Sequence, residues 1–170
     1  MSHLSFRNHI PYSALIAFVF VLAAGAENRE YQKWLDEDVH WIITPQERAE
    51  FAKLSGDEQR DHFVEQFWGG RNPTPSAPRN AFKQEHYRRL AFANEHFAAD
   101  IPGWETDRGR IYIIYGPPDA IDSHPPRSGK YPYEIWQYRH AEQDHKGVSF
   151  KFLDKCVCGK YQLENDSTSQ

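Results

Sequence analysis

The sequence predicts an α+β fold in which about four N-terminal helices pack on a C-terminal antiparallel sheet of about four strands. Up to residue 97, apolar residues recur at steps of three and four, which is the spacing of one helix face. After Ile101-Pro102-Gly103 the apolar period shortens towards two, and short polar connections separate the later segments, as in an antiparallel meander. Helices followed along the chain by strands favour α+β layering.

The composition is that of a folded protein. The 170 residues include 24 acidic and 20 basic side chains, and 15% are aromatic, far more than disordered chains contain. The net charge of −4 offers no general basic surface that would release counterions from phosphates. We therefore expect no nucleic-acid partner.

The first 26 residues have the pattern of a signal peptide. Residues 1–13 hold Arg7 and no acidic side chain, and residues 14–24 form an unbroken apolar run. This run is too short for a transmembrane helix, which needs about 20 residues. Small residues at 24–26 predict cleavage after Ala26, and an uncleaved N-terminal anchor is the alternative.

Cleavage there implies an exported protein, with membrane contact only through residues 1–26 before processing. Residues 27–164 are predicted to form a single domain, because a chain of this length can bury about two-thirds of its unfolded surface in one core. Residues 165–170 are expected to be a flexible tail.

Four helices are predicted in order. The first covers about 28–42. Thr44 caps the second, with Pro45 at the first helical position and Glu47 reaching back. The same pattern at 55–58 predicts the start of a third helix, which ends at 69–70, and three prolines within 71–80 exclude helix there. The fourth helix covers 81–97 and places His86 on its apolar stripe.

Four strands are predicted after these helices. Residues 110–115 are apolar on both faces and are expected to form a central strand covered on two sides. Gly116-Pro117-Pro118-Asp119 stops that strand, because proline cannot donate to a ladder, and residues 123–130 are predicted to be a polar loop. The other three strands are expected at 133–139, 148–152 and 160–163.

The segment from Gly103 to Asp119 reads GWETDRGRIYIIYGPPD, and it closely resembles the signature of the GWxTD domain family of exported bacterial proteins. Further blocks match in order at 67–68, 71–75, 80, 85–89, 134–138 and 150–154. The resemblance thus covers nearly all of the chain after residue 26. It implies a bacterial protein that is periplasmic or secreted, and it implies an architecture but no reaction, since no activity is established for the family.

The chain departs from the family pattern in two places. Asn72 and Ala81 stand where the family usually carries acidic residues, which puts any metal or catalytic role of those acids in doubt for this chain. The closing hairpin has Cys156-Val157-Cys158 where the family usually has an Asp-Gly type of turn.

The GWETDRG segment has two interpretations. As a structural element, it is a loop that fastens the predicted strand half to the fourth helix, with Gly103 allowing a close approach, Trp104 buried and Thr106 capping locally. As a binding surface, it presents Asp107 and Arg108 to solvent beside an exposed Trp104, with Asp119 nearby.

The matched blocks are also rich in charged side chains that can pair. Arginine suits buried ion pairs because its guanidinium binds carboxylates through two parallel hydrogen bonds. We expect at least one buried arginine–acid pair between the two halves, with a solvated helix face as the alternative, and the remaining candidate binding residues are Arg71, Glu85, Arg88 and Arg89.

No metal, cofactor or catalytic residue is predicted. The nine histidines lack HExxH or Cys/His tetrad spacing, and no GxSxG nucleophile motif is present. Cys156 and Cys158 are only two residues apart, so a bond between them would be strained, and an intermolecular link, a labile redox pair and free thiols all remain open.

The preferred functional interpretation is a noncatalytic module that binds a protein partner in the cell envelope. It follows from an aromatic-rich chain with patterned loops and no assembled catalytic motif. The alternatives are an envelope hydrolase or metal-dependent enzyme using acids and histidines near the GWETD and GPPD loops, and a purely structural accessory domain. A deep polar pocket with convergent histidines and carboxylates would favour the enzyme.

Overall fold

The computed structural model describes residues 29–139 and 147–164. The predicted signal peptide at 1–26 and the predicted tail at 165–170 lie outside these ranges. The α+β class is confirmed, because five helices precede a four-stranded antiparallel sheet within the described part of the chain. None of the helices described is both long and apolar enough to cross a bilayer.

The helices alternate with short connections. Helix α1 is α-helical over 29–33 and continues as a π-helix over Trp34–Asp38. The remaining helical elements are α2 (Pro45–Phe51), α3 (Asp57–Gly70), α4 (Ala81–Phe97), a 3₁₀ turn (Gly103–Glu105) and α5 (Asp107–Tyr115). The strands are β1 (Ala120–His124), β2 (Tyr133–Tyr138), β3 (Val148–Leu153) and β4 (Gln162–Leu163).

One of the two predicted capping boxes is present. Thr44 Oγ1 accepts the Glu47 N–H at 3.2 Å, and Glu47 Oε2 accepts the Thr44 N–H at 2.9 Å. The box predicted at 55–58 is wrong, because α3 begins at Asp57 and its N-cap is Gly56, whose residue type has no side chain to accept a bond. Ser55 therefore lies one position too early to cap the helix.

The predicted strand at 110–115 is wrong, since these residues belong to α5. A short apolar run does not distinguish a buried strand from a buried helix, and here the helix is buried on two sides. Ile111 and Tyr112 pack on the sheet, whereas Ile113 packs against Leu90 of α4. Residues 111–113 are all apolar because α5 lies between α4 and the sheet, whereas Ile114 and Tyr115 at the end of the helix are partly exposed.

The fourth strand lies at β1, within a stretch of which part was expected to be a loop. The sheet order is β1-β2-β3-β4, and every neighbouring pair is antiparallel. Strand β1 is an edge strand with only its two end residues partly buried, so its sequence lacks the apolar alternation of a covered strand. The other three strands are confirmed, although β4 is limited to two residues.

Three hydrophobic clusters form the interior. The first joins α5 to the sheet around Trp136 and Phe152, and the second fills the space among α1, α2 and α3 around Trp34. The third lies around Trp104. Phe97 packs against the first and third clusters, and Tyr87 packs against the second and third, so the clusters are in contact through these two α4 side chains.

Candidate functional site

The GWETDRG segment starts α5 and fastens it to α4. Thr106 is the N-cap of α5, with its Oγ1 accepting the Gly109 N–H at 3.0 Å and donating to the Gly103 carbonyl at 2.8 Å. The backbone N–H of Trp104 donates to Asn94 Oδ1 of α4 at 2.9 Å. The segment therefore acts as a clasp between two helices, and Asp107-Arg108-Gly109 forms the first turn of α5.

Trp104 lies in the interior at 9% exposure. Its ring belongs to the cluster that contains Leu90 and Ile113, and its carbonyl accepts the indole N–H of Trp41 at 2.8 Å. The side chain contributes to packing between the helices. A partner at this place would contact the polar neighbours of Trp104 rather than the indole ring.

Asp107 and Arg108 face the sheet and the last hairpin. Asp107 Oδ2 accepts the Leu163 N–H at 2.8 Å. The Arg108 guanidinium reaches Glu134 Oε1 at 3.5 Å and the Gly159 carbonyl at 3.3 Å, and its Cζ lies 4.2 Å from the centre of the Tyr161 ring. The Arg108–Glu134 pair is largely buried, with side-chain exposures of 15% and 17%. This pair links α5 to strand β2, both of which lie after residue 101, so it is not the arginine–acid pair expected between the two halves.

A small cleft of about 120 Å³ opens beside these residues and is lined by both Asp107 and Arg108. Its rim includes an ion pair between Lys160 Nζ and Asp100 Oδ2 at 2.6 Å. Four of the charged side chains that line the cleft, Asp100, Asp107, Arg108 and Lys160, are therefore already bonded to other charged groups or to the backbone.

A larger groove of about 310 Å³ brings together Arg71, Glu85 and Arg89. Three of the nine predicted binding residues thus converge, although they are separated along the chain. Apolar side chains line the groove between the charges, and two of them are partly open to solvent, with Phe82 at 37% and Ile114 at 41% exposure. The full lining consists of Ile42, Arg71, Pro73, Phe82, Glu85, His86, Arg89, Ile113 and Ile114.

Arg71 joins α2, α3 and the segment between α1 and α2 at one end of the groove. Its Nη2 donates to Glu47 Oε2 at 2.8 Å and to the Ile42 carbonyl at 3.2 Å, and its Nη1 donates to the Phe67 carbonyl at 3.1 Å. The Arg71 Cζ lies 3.6 Å from the centre of the Phe67 ring. These bonds fix the position of the guanidinium at the rim.

Glu85 accepts hydrogen bonds from the guanidiniums of two arginines on the same helix, α4. Arg88 donates to it through Nε and Nη2 at 2.7 and 2.8 Å, and Arg89 donates through Nε at 2.8 Å. These hydrogen bonds from Arg88 and Arg89 lower the pKa of Glu85 to about 2. Arg88 is half exposed, with 53% of its side chain open to solvent, and does not line the groove.

Arg89 also bonds the C-terminal end of α5. Its Nη1 donates to the carbonyls of Ile113 and Ile114, each at 3.3 Å. The guanidinium lies over Gly116, whose φ of +83° allows the chain to leave the helix. Arg89 therefore sets the distance between the two helices that form the walls of the groove.

His86 is a buried core residue, as its place on the α4 stripe predicts. Its Nε2 lies 2.5 Å from the Asp38 carbonyl, and it is 4% exposed. Burial lowers the pKa of its imidazole below the usual 6.5, so the ring is neutral at pH 7 and donates to that carbonyl. It adds no charge to the groove.

Asp119 lines neither the small cleft nor the groove. Its Oδ2 accepts the Arg139 N–H at 2.5 Å and so joins the end of β2 to the segment before β1.

Sequence reasoning missed the contribution of Ile114 to the groove, because it placed this residue in a strand. Asn72, one of the two departures from the family pattern, forms a local turn in which its Oδ1 accepts the Thr74 N–H at 3.1 Å.

Cys156 and Cys158 are joined by a disulfide, with Cα atoms 5.2 Å apart. With Asp154 they form a group whose potential ligand atoms lie within 4.8 Å of one another. A disulfide supplies no thiolate, so this group can hold a metal only after reduction.

The fold and the clasp define an α+β arrangement in which α4 and α5 pack on one face of an antiparallel sheet. The sequence profile of the GWxTD domain family matches residues 19–170, which is nearly the whole chain. The protein belongs to the GWxTD domain family. No curated protein and no solved structure matches it.

Proposed function

We propose that this domain is a noncatalytic module that binds a protein partner, and that the partner contacts the groove between α4 and α5. The observation that carries the proposal is the arrangement of partly exposed apolar side chains between bonded charged groups. Phe82 and Ile114 offer an apolar surface, and Arg71, Glu85 and Arg89 surround it. An apolar centre with a polar rim is the usual organisation of a protein-binding surface.

The groove is a better candidate than the cleft at Arg108. It is larger, at about 310 Å³ against about 120 Å³. Its apolar walls also retain accessible surface, whereas Arg108 in the smaller cleft is covered by its bonds to Glu134 and Gly159.

The charges of the groove indicate the chemistry of the partner. Two guanidiniums and one carboxylate line it, and His86 is neutral. A segment with a large apolar side chain next to a carboxylate would fill the space between Phe82 and Ile114 and place its charge near a guanidinium.

We also propose that the protein works outside the cytoplasm, in the periplasm or as a secreted protein. The support is the sequence of residues 1–26, with its basic start, its apolar run and the small residues before position 27. N-terminal sequencing of the exported protein tests this point. The expected first residue is Glu27, and a protein that starts at Met1 contradicts cleavage.

Site-specific photocrosslinking tests the groove. A photoreactive residue at position 114 is compared with one at position 121, where another exposed isoleucine lies on the edge strand at 52% exposure. We expect a crosslinked protein from position 114, and we expect Ile114→Glu to weaken binding of that protein at least tenfold. Ile121→Glu is the matched control and should leave affinity unchanged.

Equal crosslinking from both positions, or equal effects of the two glutamate variants, would contradict the proposal that the partner binds at the groove. Thermal unfolding of each variant shows whether a loss of binding reflects a loss of folding.

A further inference from the structure

The loop that joins β3 to β4 contains a disulfide between residues two apart. Both cysteines are exposed, and the loop projects from the sheet end beside Arg108, whose guanidinium donates to the Gly159 carbonyl at 3.3 Å. A three-residue loop restricts the unfolded chain very little, so this disulfide contributes little to stability. Because this disulfide has so small a structural role, a chemical role is the better explanation of its presence.

The residue between the cysteines is held in an unfavourable backbone conformation. Val157 has φ of +56°, and it is the one non-glycine residue with positive φ in the ranges 29–139 and 147–164. A β-branched residue in this region is strained. Strained and exposed disulfides are the more oxidising and more reactive ones.

A buried carboxylate holds the loop independently of the disulfide. Asp154 is 2% exposed, and its oxygens accept the N–H groups of Cys158 at 3.2 Å and Gly159 at 2.7 Å. Asp154 Oδ1 also lies 3.1 Å from Cys156 Sγ. When Cys156 is a thiol, its S–H can donate to this oxygen, so the reduced loop has a ready hydrogen bond.

We propose that Cys156–Cys158 is a thiol–disulfide exchange site that oxidises dithiols of other polypeptides. An incoming thiolate attacks Cys158 Sγ, because the Asp154 carboxylate repels an anion from Cys156 Sγ. The bond between the two protein sulfurs breaks, a mixed disulfide forms at Cys158, and the released Cys156 sulfur takes a proton from solvent.

The second thiolate of the substrate then attacks its own sulfur in the mixed disulfide and releases Cys158, which is also protonated by solvent. The substrate gains a disulfide and loses two electrons, and the protein gains two thiols. The exchange oxidises one dithiol per chain and is not a catalytic cycle, so it is compatible with a noncatalytic module, and it does not depend on binding at the α4–α5 groove.

The test is equilibration of the folded, full-length protein with reduced and oxidised glutathione. Thiols are trapped by alkylation and counted by mass spectrometry. We expect two thiols to appear together in the folded protein, with one oxidised glutathione formed per chain. A disulfide that resists glutathione until the chain is unfolded would overturn the proposal.

Val157 provides a matched pair of variants. Val157→Asn tolerates positive φ without the flexibility of glycine, so it should relieve the strain and make the disulfide about tenfold harder to reduce at equilibrium. Val157→Thr remains β-branched and should leave the equilibrium unchanged. Equal equilibrium constants for the two variants would show that backbone strain does not drive the exchange and would overturn the proposed origin of reactivity.

The position of the mixed disulfide checks the order of attack. The intact protein is mixed with reduced glutathione, quenched early with acid, and analysed by peptide mass spectrometry, and the glutathione adduct is expected on Cys158. An adduct mainly on Cys156 would overturn the assignment of Cys158 as the attacked sulfur.

Discussion

Gly103 and Gly109 lie backbone against backbone where α5 begins. A Cβ atom on Gly109 would come closer than 3.0 Å to the Gly103 carbonyl, and a Cβ on Gly103 would come equally close to the Ala93 carbonyl of α4. Three backbone segments are therefore stacked with no room for a side chain between them. The two glycines of GWETDRG serve this close approach, and Thr106 between them caps the helix that follows.

Gly103→Ala should destabilise the protein strongly, because the added methyl group meets backbone atoms of α4 that cannot move independently. We expect a loss of more than about 2 kcal/mol in the free energy of unfolding, as in other overpacked sites. Urea denaturation followed by circular dichroism measures it. Gly69→Ala in α3 is the control, since nothing lies within 4 Å of its Cβ position, and a comparable loss there would contradict the packing argument.

Thr106→Ala removes the N-cap of α5. The Gly109 N–H and the Gly103 carbonyl both lose their bonds to the hydroxyl, so we expect a loss of about 1–2 kcal/mol in unfolding free energy. Thr106→Ser retains the hydroxyl and should recover most of this loss. If the serine variant is as unstable as the alanine variant, the methyl group rather than the cap is responsible.

Arg89→Gln and Arg88→Gln compare the contributions to stability of two guanidiniums that both bind Glu85. Arg89 also donates to the last carbonyls of α5, whereas Arg88 is half exposed. We expect the Arg89 variant to lose about 2 kcal/mol of stability and the Arg88 variant to remain close to the wild type. Thermal or urea unfolding of the pair gives the comparison, and equal losses would rule out a special role for Arg89.

Glu85 makes stability depend on pH in the acid range. Its pKa of about 2 in the folded protein lies below the ordinary 4.5, so its stabilising effect is complete above pH 4.5 and is lost as the pH falls towards 2. The size of the effect is reduced by solvent, because 39% of the side chain is exposed. Glu85→Gln should flatten the stability profile between pH 4.5 and 2.

Glu95→Gln, further along the same helix, is the control for this titration. Unfolding free energies of the wild type and both variants are measured across the acid range. A wild-type profile that is no steeper than that of Glu85→Gln would contradict the ion pairs described at Glu85.

Patterns with a local physical cause could be predicted from the sequence. The capping box at Thr44, the end of α3 at Gly70 and the α4 stripe each depend on neighbouring residues, and each is present. The strand prediction at 110–115 failed because the burial of α5 on two sides is a tertiary property. The cap at Thr106 with Asp107 after it was the signal that favoured a helix there.

The candidate groove could be predicted only in part. The density of charges in the matched blocks drew attention to Arg71, Glu85 and Arg89, and all three line it. Their shared position depends on how the end of α3 lies against α4, and the groove also needs Ile113 and Ile114 of α5, which an incorrect strand assignment excludes. The burial of Trp104 likewise follows from three-dimensional contacts, since the same residue suits a surface or a core.

Arg89 donates hydrogen bonds to Glu85 of α4 and to the last carbonyls of α5, and these bonds affect the free-energy cost of binding a partner. Because one guanidinium already joins both walls of the groove, the walls are preorganised before a partner arrives. Little conformational entropy is then lost within this domain on association, and most of the ordering falls on the incoming segment. A short, flexible peptide could therefore be recognised without any rearrangement of the two helices.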